Sequence, residues 1–149
     1  MGNRAVITTA PYKASNAAIY VQWNGGVESI EAFCGAAKEL GYLSPDDDPS
    51  YSMARLTGLI CLYFDITNST SIGVGTCTNF GDPGDNGIWQ IGADWQIVAH
   101  GKGKAKPPKN DDPEKTAMIR KQLIVGARLC ATVFTENMNG TTVPKARSA

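Results

Sequence analysis

Six side chains in this sequence have the chemistry to hold a small anionic or planar ligand: Arg55, Asn86, Asp85, Trp23, Asn24 and Trp89. Arg55 offers a planar, permanently charged fork that suits phosphate or carboxylate. Its competing role is structural, with the stem reaching solvent or the charge answered by Asp46, Asp47 and Asp48. Asp85 and Asn86 sit in Gly84-Asp-Asn-Gly87, next to Gly81-Asp82. Turn chemistry explains these residues, yet their amide and carboxylate groups can also bond a base or a ribose. Trp23 and Asn24 open Trp-Asn-Gly-Gly26, where a strand should hand over to a helix. Exposed N–H groups at such a junction can bind an anion, although Glu28 brings negative charge to the same place. Trp23 and Trp89 could each offer a stacking face. Core packing is the competing role for both.

The remaining reactive residues do not assemble into a catalytic pattern. His100 is the single histidine, and no serine or cysteine beside it declares a nucleophile, so an edge position is expected. Asp82 and Asp85 could form a hydrolytic carboxylate pair, the enzymatic alternative. Three consecutive aspartates at 46–48 do not match calcium-loop spacing. Cys34, Cys61, Cys77 and Cys130 are widely spaced, which favours reduced thiols over a zinc or disulfide framework. No catalytic residue, metal ligand or cofactor is therefore assigned. The 14 basic and 14 acidic residues balance, which disfavours a protein built on phosphate-backbone contacts. No apolar run is long enough to span a bilayer, and no secretory signal follows the first residues.

These side chains need a scaffold, and hydrophobic periodicity supplies one. Ala5–Thr9 and Ala17–Trp23 predict a β-hairpin with a longer loop. A helix over 27–40 follows, with Ile30, Phe33, Cys34 and Ala37 on its apolar face and Gly41 as a left-handed cap. Ser50 would cap a second helix over 51–64, with the stripe Met53, Leu56, Ile60 and Tyr63. Strands at 71–77, 88–91 and 95–99 come next. Gly101–Lys109, with Lys102, Lys104, Lys106 and Lys109, predicts a flexible basic linker. Asp112 and Pro113 then start a long helix over 113–137, stopped by Gly140, with Ile119, Leu123, Ala127, Cys130 and Phe134 as its stripe. The expected fold is α+β: an antiparallel sheet of about five strands, two central helices and a long C-terminal helix. The expected division is a body at 1–101, a linker at 102–112, and a helix and tail at 113–149. That helix would dock on its own domain or on a neighbour, with a homodimer favoured.

The segments Gly2-Asn-Arg-Ala-Val-Ile-Thr-Thr9, Tyr20-Val-Gln-Trp-Asn-Gly-Gly26, Ser52-Met-Ala-Arg-Leu56 and Gly84-Asp-Asn-Gly-Ile88 resemble a family of small proteins of phages and other mobile elements. The resemblance covers about the first 100 residues. Where that family carries a basic residue after the last strand, this chain has His100 and Gly101. The resemblance implies a counter-defence factor in the host cytoplasm. Arg55 and Asn86 are also similar to the arginine and asparagine of anti-Thoeris sponges, which sequester cyclic ADP-ribose derivatives. The expectation is thus a non-enzymatic binding protein that sequesters a cyclic nucleotide signal. The alternative is an anti-CRISPR-like inhibitor that binds a host defence protein.

Overall fold

The computed structural model describes residues 2–67 and 71–138. Five strands and three helices follow in the expected order. They are β1 (Ala5–Thr9), β2 (Ala17–Val21), α1 (Val27–Glu39), α2 (Pro49–Thr67), β3 (Ile72–Thr76), β4 (Ile88–Ile91), β5 (Ile97–His100) and α3 (Pro113–Met138). The fold is α+β. Its strands form one sheet in the order β3-β2-β1-β4-β5.

The sheet is mixed, which corrects the expectation of antiparallel pairing throughout. Three of the four pairings are antiparallel, but β1 and β4 run parallel, with Val6 opposite Ile88 and Thr9 opposite Ile91. The cause is connectivity. The chain adds β3 outside β2, then crosses to the free side of β1. β3 already runs in the direction of β1, because each is antiparallel to β2, and β4 keeps that direction when it takes its place beside β1. All five residues of β1 are buried, as a central strand covered on both faces requires.

Alternation sends two sets of side chains to two faces. Ile7, Ile19, Trp89 and Ile91 join Phe33 of α1 and Leu56 and Ile60 of α2 in the main core. Val6, Ala18 and Ile88 face the other way, where Cys77, Tyr12, Tyr20 and Phe80 cover them. Among the described residues, none of the three α-helices contributes to this second cluster.

The expected helix ends are partly met. Gly41 has φ +77°, the left-handed cap its position demanded. Asp112 accepts the Lys115 N–H at 3.0 Å, and Pro113 opens α3. The cap of α2 is Asp48 rather than Ser50: its carboxylate accepts the Tyr51 N–H at 3.0 Å, and the helix begins two residues early.

α3 docks on its own chain. Ile119 and Leu123 are fully buried in the same core as Phe33. Lys115 pairs with Glu28 at 2.6 Å, and Arg120 with Glu39 at 2.7 Å. Burial alone would push the Glu28 carboxyl up. The Lys115 hydrogen bond, a backbone N–H bond and the Lys115 charge together outweigh it and hold Glu28 below the usual range. The predicted stripe stops early: Cys130 and Val133 are exposed, as is every described side chain from Arg128 to Glu136. The Phe134 side chain, Gly140 and the tail lie outside the described residues. Nor does the 102–112 segment run free. The His100 N–H donates to Ala105 O at 2.8 Å, and Asn110 bonds both Glu31 and Thr116.

Candidate ligand-binding cleft

The structure does not bring the six sequence-derived candidates together. Arg55 stands in the second turn of α2, exposed, with its guanidinium 4.2 Å from the centre of the Tyr42 ring. Such a contact holds a cation modestly. Among the described residues Arg55 forms no ion pair, so the aspartates at 46–48 do not answer it. The Tyr42 carbonyl accepts the Trp95 indole N–H at 3.1 Å, which ties this region to the turn after β4. Asn86 lies before β4. Arg55 and Asn86 therefore belong to opposite ends of that strand.

Asn86 and Asp85 meet at a second place, a polar corner where β1 begins, and Asn24 borders it through its neighbour Gly25. Its organiser is Arg4, which sequence reasoning passed over. Arg4 reaches Asp82 and Asp85, each at 3.5 Å. Its hydrogen bonds and charge hold the Asp85 carboxyl below the usual range. A general acid needs the opposite shift from the one at Asp85. The Asn86 side-chain amide donates to Asn3 Oδ1 and to Arg4 O, the latter at 3.2 Å. The Asn86 carbonyl takes a 2.6 Å bond from His100 Nε2. A carbonyl only accepts, so the proton sits on Nε2. Gly25 N–H donates to Asn3 O at 2.8 Å. Asn24 adopts φ +59°, and its amide approaches Ser29 and Tyr63. This corner joins three strand ends through its own polar groups.

Trp89 is the third case and a correction. It is 1 % exposed, with its indole N–H bonded to Gly25 O at 2.9 Å and its ring 4.4 Å from the His100 ring. A side chain enclosed in this way offers no stacking face. Trp23 is 45 % exposed, and among the tryptophans it alone retains an open face.

A cleft of about 640 Å³ opens elsewhere, on the loop-covered side of the sheet. Tyr12, Asp46, Gln90, Val98, Lys102 and Lys104 line it. Its volume suits a small organic ligand. Gln90 is its keystone. The side chain is buried, accepts the Tyr12 N–H at 2.9 Å and donates to Gly101 O at 2.8 Å and Gly103 O at 2.7 Å. One amide thus fixes both walls. Gly101, at φ +80°, turns the chain so that both carbonyls face Gln90. Lys102 and Lys104 project from this pinned loop, and neither has an ion-pair partner among the described residues. The Tyr12 hydroxyl also makes no hydrogen bond there.

Sequence alone hid the cleft because a Gly-Lys-Gly-Lys run resembles any solvated linker. The missing signal was Gln90, a polar residue in an otherwise apolar strand. Among the described residues, no three His, Cys, Asp or Glu side chains gather to hold a metal ion. No described helix is long and apolar enough to cross a membrane. No known protein family, curated protein or solved structure matches this chain, so the case for the cleft stands on its own residues.

Proposed function

We propose that this chain is a non-catalytic binding protein that sequesters a small anionic molecule in the Tyr12–Lys104 cleft. The observation that supports this is the combination of two lysines without ion-pair partners and a backbone pinned beneath them by Gln90. Preorganised cations lose little freedom on binding. A cyclic nucleotide signal fits the charge and the size. The resemblance to small mobile-element proteins supports a counter-defence role in the host cytoplasm. Arg55, although exposed, belongs to the Tyr42 side and has no part in this site.

Calorimetry with cyclic ADP-ribose isomers and cyclic oligonucleotides tests the proposal. At least one should bind, and Lys102→Ala with Lys104→Ala should weaken it by about tenfold or more, roughly 1.4 kcal/mol. The same double variant should unfold within about 0.5 kcal/mol of the parent, because both side chains are exposed. Absence of binding by every probe would sink the proposal, as would a double variant that binds like the parent.

One observation favours a second reading, an inhibitor that docks on a host defence protein or pairs with its own copy. Met118, Val125 and Leu129 leave an apolar stripe exposed along α3. Stoichiometric capture of a host protein, abolished by Val125→Glu with Leu129→Glu, would favour the inhibitor. A change of mass by light scattering in that variant would favour the homodimer.

A further inference from the structure

The cleft's charges are segregated along its length. Asp46 stands at the end where β4 turns into β5. It is tied there by Ser44, whose hydroxyl donates to Asp46 and accepts the Asp94 N–H at 2.8 Å. Lys102 and Lys104 follow the last residue of β5. The four residues of β5 separate the two ends, and at about 3.3 Å per residue they span roughly 13 Å. Between them the wall is apolar, formed by Val98, Ala99 and Pro11, with Tyr12 beside it.

We propose that this cleft selects a dipolar molecule, with an anionic group at the lysine end and an amino group at the Asp46 end. The inference rests on the proposed binding function and adds the ligand's polarity and orientation. A carboxylate only accepts hydrogen bonds and a lysine ammonium only donates them. A ligand placed end to end the other way would set its anion against Asp46 and its N–H donors against the lysine ammoniums, which only donate. A ligand that brought an anion to the Asp46 end would meet repulsion there. The aspartate is thus a selectivity element as well as a contact, since it penalises the wrong partner.

Three probes isolate the two ends: 5′-AMP carries both groups, 5′-IMP lacks the amine, and adenosine lacks the phosphate. Calorimetry on the full chain should rank 5′-AMP above both others by about tenfold. Asp46→Asn should erase the preference for 5′-AMP over 5′-IMP and leave the preference over adenosine. Lys102→Ala with Lys104→Ala should do the reverse. Equal binding of the three probes by the parent would overturn the assignment, as would an Asp46→Asn protein that still separates 5′-AMP from 5′-IMP. If none of the three binds while a cyclic nucleotide does, the end-to-end assignment falls and the binding function stands. If no probe of either set binds, both fall. Both variants alter exposed side chains, and a thermal melt that matches the parent's confirms that the comparison is of folded proteins.

Discussion

The polar corner and the cleft are built from the same kinds of residue, and they do opposite things. Both are rich in glycine, both carry charge, and both lie where loops meet the sheet. At the corner, Arg4 faces two carboxylates, and Asn86 bonds Asn3, Arg4 and His100. In the cleft, the polar group that is fully engaged is Gln90, in the floor, while the rim lysines have no ion-pair partner. Residue type made the corner attractive as a site. Satisfaction of the groups decides otherwise, because a ligand at the corner would have to displace bonds already made.

Three substitutions probe that contrast. The largest effect is expected from Gln90→Leu. It removes three hydrogen bonds and leaves the Tyr12 N–H and two carbonyls without their partner, a loss of about 2–4 kcal/mol in urea unfolding. A loss smaller than about 0.5 kcal/mol would mean that the walls hold without the clamp. Gly84→Ala should come next, at somewhat more than about 1 kcal/mol. Gly84 has φ +84°, and an added Cβ would lie 2.3 Å from Arg4 Cβ, at the root of that side chain where it cannot swing away. Ligand binding in the cleft should not change, and a matched loss of binding would show that the two regions are one site.

The smallest effect is expected from Asp85→Asn, and it depends on pH. The Asp85 carboxyl is depressed in the folded chain by Arg4, so the unfolded chain binds its proton more tightly. Its contribution is present above the ordinary value of 3.8 and is lost as pH falls through the folded value. The parent should therefore be the more stable protein at neutral pH, by a small margin that closes in acid. Unfolding midpoints of both proteins along a pH series would check this, and a margin that persists at the acid end would contradict it.

Local structure was legible where local chemistry decides it. Ala5–Thr9 and Ile88–Ile91 form strands over the expected residues, because β-branched and apolar runs bounded by turn residues leave few alternatives. Gly41 and the Asp112-Pro113 start were legible for the same reason. What stayed hidden depends on partners distant in sequence. The parallel β1–β4 pairing needs the return path of the whole chain. Arg4 looks like one more surface charge until Asp82 and Asp85 arrive beside it. Arg55 stands out in the sequence for its planar charged fork, yet its neighbour is the Tyr42 ring, thirteen residues earlier. The lysine loop is pinned by the Gln90 amide on β4 and by the His100–Ala105 pairing, which no composition of the loop itself could reveal.

The central position of β1 has a consequence for synthesis on the ribosome. β1 pairs early with β2, but its other edge waits for β4, and the Val6–Ile88 pairing spans more than half of the chain. Until residue 91 has left the exit tunnel, the nascent protein carries an apolar strand with an open row of backbone donors and acceptors. Such an edge invites pairing with other chains, and its late closure slows folding. Translational pausing before β4 would lengthen that exposure. Pausing after β5 would leave the sheet complete and only α3 still to be added.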